Sequence, residues 1–264
     1  MMHPLLKKIL ETKAEEVLHQ KRVVSLEDMR AHAARAPAPR PFAGGILACG
    51  SPHKVIAEIK RISPGDARFR KDFDPAAIAK SYQAAGAAAL SVLTDTVFFG
   101  GSLSCLALAR EAVAIPVLRK DFIIDPYQIY EARAYGADAV LLMAVNFASK
   151  SEFQEMAAVA AEAGIETLLE VHSESEIPYL PVSRQNVGIN NRDFNDPNLK
   201  VDTDTTRRLA KMVPNARLLV SESGIQSAYT MADMEKLGVD AFLVGNSLMR
   251  ESDPGAALAQ LFGR

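Results

Sequence analysis

Val55-Ile56-Ala57-Glu58-Ile59-Lys60 is an apolar run, long enough for one strand, that closes on a carboxylate and an amine. Side chains alternate along a strand, so Glu58 and Lys60 share one side and Ala57 and Ile59 the other. The pattern recurs downstream. Val117-Leu118-Arg119-Lys120-Asp121, Thr167-Leu168-Leu169-Glu170 and Val187-Gly188-Ile189-Asn190-Asn191-Arg192 each pass from apolar residues to charged or amide ones. Leu218-Leu219-Val220-Ser221-Glu222-Ser223-Gly224 and Phe242-Leu243-Val244-Gly245-Asn246 follow, and Leu90-Ser91-Val92-Leu93-Thr94-Asp95 is a more modest case. Polar groups at the carboxyl ends of many successive strands are how a parallel α/β barrel assembles one active site.

Around these runs the chain alternates. Strands are expected at 54–59, 88–93, 116–120, 138–143, 167–171, 186–190, 217–221 and 240–244. Helix-length segments fall near 75–85, 103–112, 127–135, 151–163, 174–180, 204–211, 227–237 and 255–262. Eight strand-helix pairs over about two hundred residues fit a (β/α)8 TIM barrel in number and size. Ala139-Val140-Leu141-Leu142-Met143 is continuously apolar, as a parallel strand buried on both faces should be. The Gly136-Ala137-Asp138 and Gly238-Val239-Asp240 turns suit a helix end feeding a strand. A doubly wound open sheet is the alternative, but it would bind its ligand at one crevice rather than under nearly every strand end.

Residues 1–50 form a helical N-terminal extension to the single barrel domain of residues 1–264. One helix is expected over residues 4–20 and a second from Ser25 to Ala36, with Ser25 as N-cap. Pro37-Ala38-Pro39-Arg40-Pro41-Phe42-Ala43-Gly44-Gly45 is a breaker, too short to divide the chain into domains.

The formal net charge of −2 gives no electrostatic case for nucleic acid or an anionic membrane as partner. Cys49 and Cys105 have no metal-like spacing and read as reduced thiols. The N-terminus lacks the apolar core of a signal peptide, and no apolar stretch could span a bilayer. A cytoplasmic location is expected.

Glu58 and Lys60 can pair at a barrel mouth and keep the amine protonated; a buried structural pair is the plainer alternative. Lys120 lies between Arg119 and Asp121 and could belong to a solvated charge cluster, although its apolar approach favours a strand end. Glu170 ends an apolar run, where an unpaired carboxylate is costly, so the two lysines are its natural partners. Asn190, Asn191 and Arg192 form either an amide-rich turn or a fork for carboxylate or phosphate. Glu222 and Ser223 close the seventh strand. Gly224 and Gly245-Asn246-Ser247 open turns into helices after strands seven and eight, where this fold places its phosphate cup. His172 reads as a polar loop residue with no metal-ligand neighbour, and Cys105 as a small hydrophobe. No Ser-His-Asp set, P-loop or metal cluster is present.

Taken in order, several stretches resemble the indole-3-glycerol phosphate synthase family of tryptophan biosynthesis. They are Ile56-Ala57-Glu58-Ile59-Lys60-Arg61-Ile62-Ser63-Pro64, Ser91-Val92-Leu93-Thr94-Asp95 and Pro116-Val117-Leu118-Arg119-Lys120-Asp121-Phe122-Ile123. Leu169-Glu170-Val171-His172, Gly188-Ile189-Asn190-Asn191-Arg192-Asp193 and Ser221-Glu222-Ser223-Gly224-Ile225 complete them. The resemblance implies ring closure of 1-(2-carboxyphenylamino)-1-deoxyribulose 5-phosphate to indole-3-glycerol phosphate, with loss of CO2 and water and without cofactor or metal. It implies Lys120 as general acid for ring closure, Glu170 as general base, and Lys60 as second acid and carboxylate binder. Glu58 and Glu222 would hold the lysines, Asn190 would orient the substrate, and Arg192 would support its carboxylate side. Ser63, Gly224, Gly245 and Asn246 match phosphate-binding positions, with Ser223 beside them at the substrate. Contact with neighbouring enzymes of that pathway is a further possibility.

Two departures stand out. Gly65-Asp66-Ala67-Arg68-Phe69-Arg70 replaces the family's frequent Ser-Lys-Gly, and Asn246 stands where Glu or Ser is common. A phosphoribose isomerase on the same barrel would need a thiol or carboxylate base on strand one facing an Asp. A non-catalytic barrel for a phosphorylated ligand would not need two lysines and a base. A Schiff-base lysine is disfavoured by carboxylates that keep the amines charged.

Overall fold

Eight parallel strands form: β1 (Val55–Ile59), β2 (Ala89–Leu93), β3 (Val117–Lys120), β4 (Ala139–Met143), β5 (Glu166–Val171), β6 (Asn186–Asn190), β7 (Leu218–Glu222) and β8 (Ala241–Val244). Each pairs with the next, and β8 returns to β1 with Val55 opposite Phe242 and Ala57 opposite Val244. The sheet is a closed barrel, which rules out the open-sheet alternative. The computed structural model describes residues 3–63, 72–194, 196, 198–213 and 215–263. The departure at Gly65 to Arg70 lies outside the described residues.

Alternation along the strands sorts side chains into two cores. Val55, Ala57 and Ile59 of β1 point outward into a shell shared with Val92, Val117, Val140 and the covering helices. Ile56 points inward, joining Leu118, Leu141, Leu168, Val220 and Leu243 in the barrel interior. The covering helices are α4 (Pro75–Ala85), α5 (Leu103–Ala112), α6 (Pro126–Ala134), α7 (Lys150–Glu162), α8 (Asp204–Leu209), α9 (Ala228–Glu235) and α11 (Pro254–Leu261). Two Gly-X-Asp turns act alike. Gly136 and Gly238 adopt positive φ, and Asp138 and Asp240 then accept the amides of Val117 and Leu219, each at 2.8 Å. The glycine ends the helix and the aspartate fastens the incoming strand to its neighbour.

The crossover after β5 departs from expectation. Residues 174–180, read as an ordinary helix, form a 3-10 helix over Glu174–Tyr179 with Pro178 inside it. A proline here removes an amide and disfavours continued α-helix.

The extension is a strap running from one end of the barrel to the other. Its elements are α1 (Pro4–Val23), α2 (Leu26–Arg35) and α3 (Phe42–Leu47). Ser25 caps α2 as expected, accepting the amide of Asp28 at 3.1 Å. Met29 and Ala33 of α2 pack on Tyr127 and Tyr130 of α6, with the Arg30 guanidinium 4.9 Å from the Tyr130 ring centre. α3 corrects the reading of residues 37–45 as a simple breaker. Phe42, Ala43 and Ile46 are fully buried and join the barrel's interior cluster. The Glu166 carboxylate at the start of β5 caps this helix, accepting the Phe42 and Ala43 amides at 2.8 and 3.4 Å. This cap is tertiary, so nothing local to residues 37–45 announces it.

At the opposite end, α1 lies over the carboxyl ends of the strands. Leu6 and Ile9 join the interior cluster from above, together with Phe122. Lys13 is fully buried and meets Asp95 and Asp121 at 3.1 Å each, and Glu16 at 2.8 Å. Asp121 is also paired with buried Arg119, which itself meets Glu131 of α6. Burial disfavours the Lys13 charge, but Asp121, Asp95 and Glu16 outweigh it and raise the pKa. Among the described residues no helix is long and apolar enough to cross a membrane.

Candidate active site

The odd-numbered strands deliver the charges. Glu58 and Lys60 come from β1 and its end, Lys120 from β3, Glu170 from β5 and Glu222 from β7. Alternate strands of such a barrel share an interior layer, so these side chains converge. The even-numbered strands supply mostly apolar wall: Leu93, Leu141, Met143 and Leu243, with Asn190 the polar exception.

The contacts form a continuous chain. Lys60 Nζ donates to Glu58 Oε1 at 2.5 Å and to Asn246 Oδ1 at 2.6 Å. The other oxygen of Glu58 lies 3.7 Å from Lys120 Nζ, which donates to Glu222 Oε2 at 2.9 Å. Glu58 therefore bridges both lysines. Burial opposes its charge, but Lys60 and Lys120 prevail and hold the carboxyl below its usual range. Burial likewise opposes Lys120's charge, and Glu222, Glu58 and Glu170 overcome it to raise the amine's pKa.

Glu170 and Glu222 act on each other. Among the described residues, neither Glu170 Oε2 nor Glu222 Oε1, both buried, has a donor. Two facing carboxylates in that setting cannot both stay ionised cheaply. Burial and then the Glu170 charge push Glu222 up, against the pull of Lys120. Burial also disfavours the Glu170 charge, but His172, Lys120 and Asn190 reverse the balance and hold it down.

His172 is a correction. Expected as a polar loop residue, it is fully buried, with Nε2 2.7 Å from Glu170 Oε1 and Nδ1 3.2 Å from Glu176 Oε2. The direct partner of Glu170 is thus His172, and the lysines pair instead with Glu58 and Glu222. Asn190 stands beside Glu170. Its Nδ2 donates to Glu170 Oε1 at 3.0 Å and its Oδ1 accepts the Arg192 amide at 3.0 Å, so both ends of the amide are engaged.

One cavity of about 350 Å³ takes in Glu58, Lys60, Ser63, Lys120, Glu170, Asn190, Arg192, Ser223, Gly224, Gly245 and Asn246. Glu222 stands behind Lys120, fully buried. Sequence reasoning missed the apolar wall, including Leu5 and Ile9 of α1 with Phe99, Phe122 and Phe194. Leu5 and Ile9 stand four residues apart, a spacing that marks a helix face without saying what that face covers.

At the far side, Ser223 (φ 66°) and Gly224 (φ 77°) both adopt left-handed backbone. That conformation is strained for serine, and the Asn191 amide holds it by donating to the Ser223 carbonyl at 3.0 Å. Beside this turn, the short helix α10 (Asn246–Met249) starts directly after Gly245. Arg192 Nη1 reaches the Leu199 carbonyl at 3.3 Å.

Gly245 has a second role. A Cβ there would stand 2.1 Å from Glu58 Oε1 and 2.7 Å from its Cδ, so glycine makes room for the carboxylate bridge. Gly245→Ala is expected to displace Glu58 and lower kcat by about 10–100-fold. Steady-state kinetics with an urea melt checks this, and an unchanged kcat would show that Glu58 need not sit where it does.

A closed barrel with two amines, buried carboxylates and paired turns after β7 and β8 around one cavity has the layout of an enzyme of the (β/α)8 class. Comparison with known proteins narrows it. A sequence model described as indole-3-glycerol phosphate synthase matches residues 6–261. The indole-3-glycerol phosphate synthase of Azoarcus sp. (strain BH72) is 47% identical over 99% of this chain and 100% of its own. That of Acidithiobacillus ferrooxidans (strain ATCC 53993) is 44% identical over 99% of each chain. The chain belongs to the indole-3-glycerol phosphate synthase family, carbon–carbon lyases of tryptophan biosynthesis. The solved 3-hexulose-6-phosphate synthase of Salmonella typhimurium, at 16% identity and a TM-score of 0.58 over 79% of this chain and 98% of that one, shares the fold.

Proposed function

We propose that the cavity closes the indole ring of 1-(2-carboxyphenylamino)-1-deoxyribulose 5-phosphate, with Lys120 and Lys60 as acids and Glu170 as base. The observation that carries this is the single chain of contacts joining both lysines, through Glu58 and Glu222, to a base anchored on one oxygen.

The aromatic carbon bearing the carboxylate attacks the ketone, and Lys120 protonates the ketone oxygen as the C–C bond forms. The carboxylate leaves as CO2 and its bonding pair returns to the ring. Lys60 then protonates the hydroxyl, which departs as water while Glu170 takes a proton from the adjacent methylene. Two protons are given and one is taken, so each turnover consumes one proton. Glu222 touches both Glu170 and Lys120, a placement suited to returning the base's proton to the acid.

The other residues serve binding and alignment. Lys60, Lys120 and Arg192 bring three basic side chains into one cavity, which suits a substrate with a carboxylate and a phosphate. The Ser223-Gly224 turn, Gly245, Asn246 and Ser63 form the phosphate end. Asn246 also steadies Lys60 through its side chain, and Asn190 holds the base rather than the substrate. The apolar wall, including Leu5 and Ile9, receives the aromatic ring. The carboxylates beside Lys120 keep that amine charged, which suits an acid and not a Schiff-base nucleophile.

Turnover tests the whole. The chain has no tryptophan, so product indole fluorescence stands clear of protein background. The expected product lacks one CO2 and one water relative to substrate. Tight binding of the substrate without that product would overturn the proposal and leave a binding barrel.

A further inference from the structure

His172 has no part in the scheme above, yet it is among the most constrained side chains in the protein. It is fully buried, and each ring nitrogen faces a carboxylate: Nε2 lies 2.7 Å from Glu170 Oε1, and Nδ1 lies 3.2 Å from Glu176 Oε2. A neutral imidazole has one N–H and cannot serve both sides; the imidazolium faces both carboxylates, through a hydrogen bond at Nδ1 and a close ion pair at Nε2. Burial opposes that charge, but the two carboxylates push the imidazole up to about 10. The Glu176 Oε2 atom also accepts the His172 backbone amide at 2.7 Å, so main chain and ring are pinned to one group. Phe194 closes the remaining side with its ring perpendicular to the imidazole, centres 5.1 Å apart. The 3-10 helix over Glu174–Tyr179 is what carries Glu176 to this position.

We propose that His172 is a positioning residue for Glu170: clamped between Glu170 and Glu176, its imidazolium fixes the rotamer of the base. This rests on the assignment of Glu170 as the base. Glu170 Oε1 is anchored twice, by His172 and by the Asn190 amide at 3.0 Å, which leaves Oε2 as the oxygen that takes the proton. Without His172 the carboxylate keeps one donor and can swing toward Lys120, away from the substrate methylene. The loop residue of the sequence reading becomes the back wall of the reaction.

The test compares His172→Phe, His172→Gln, Glu170→Gln and the double variant His172→Phe with Glu170→Gln. Phenylalanine fills the space beside Phe194 and donates nothing; glutamine can still donate to Glu170 without carrying charge. His172→Phe is expected to lower kcat about 10–100-fold with KM within about 3-fold of the parent. His172→Gln should recover most of that loss. The acid limb of kcat/KM should move to higher pH in both, because Glu170 loses the nearest cation and, among the described residues, retains Lys120 from β3 and Asn190 from β6, with Glu222 of β7 facing it. In the Glu170→Gln background His172→Phe should change kcat by less than about 2-fold, as groups that act as a unit do.

A full additional loss in that background would assign His172 a purely structural role and overturn the proposal. So would an unmoved acid limb, or a His172→Gln enzyme as slow as His172→Phe. If Glu170→Gln alone turns over normally, the base assignment fails instead, and the two failures are distinct. Should His172→Phe not fold, Glu176→Gln applies the same readout, since weakening the far carboxylate should also raise the acid limb.

Discussion

Lys120→Met should lower kcat by about 10²–10⁴-fold while leaving a folded enzyme. Methionine keeps most of the lysine stem and its packing, so the change removes the Nζ contacts to Glu222 and Glu58 and little else. Glu58 keeps its contact with Lys60 when the Lys120 amine is lost. Ring closure loses its acid. The companion Lys60→Met separates the two acids. With Lys120 intact the ring still closes and CO2 still leaves, and mass analysis of a single turnover should find a species heavier than product by one water. Normal kcat in Lys120→Met would remove that residue from the mechanism. The hydrated species in Lys120→Met, and not in Lys60→Met, would exchange the roles.

The second large effect is on stability and lies outside the cavity. Lys13→Met should cost about 3–5 kcal/mol, the usual result of breaking a buried ion pair from one side. For a chain of this size that lowers Tm by roughly 10 °C. Asp121 retains Arg119 and the Thr94 hydroxyl, but among the described residues Asp95 keeps only the Phe98 and Phe99 amides. Asp95→Asn in the Lys13→Met background should therefore return part of the loss, which urea melts would show. Because α1 brings Leu5 and Ile9 to the cavity, KM should rise with the loosened helix. A Lys13→Met protein as stable as its parent would mean that the buried charges are satisfied without the lysine.

The barrel was legible because each strand is a short apolar run closed by polar residues, and the expected strand limits agree with those found to within a residue. Ser25 and the glycines at 136 and 238 announced their local roles for the same reason: capping and left-handed turns are decided by neighbours in sequence. What stayed hidden depends on partners distant along the chain. Lys13 sits among Lys and Glu residues and looks solvated until Asp95 and Asp121 are placed above it. The α3 helix needs Glu166, far downstream, to cap it. Glu170 announced that it required a partner, but the choice between lysine and histidine turned on how the chain bends after Val171. Asn246 looked like a phosphate residue by position, while its side chain is committed to Lys60. Gly245 and Gly188 read as turn and strand glycines, yet a Cβ at either would strike a carboxylate, Glu58 or Glu222.

The strap formed by the first three helices also inverts the order in which the protein can be finished. It is synthesised ahead of the barrel, but its seats are made later. Lys13 waits for the ends of β2 and β3, the Phe42 and Ala43 amides wait for Glu166, and the His3 amide waits for the Phe194 carbonyl at 3.1 Å. Until more than half the barrel has emerged, Leu6, Ile9 and Phe42 have no complete interior to enter, while Val17 and Met29 wait for Tyr127 and Tyr130 of α6, and exposed apolar surface of that kind invites misassociation. The nascent chain thus carries the roof and floor of its reaction chamber ahead of the walls, and the chamber closes only when the walls arrive.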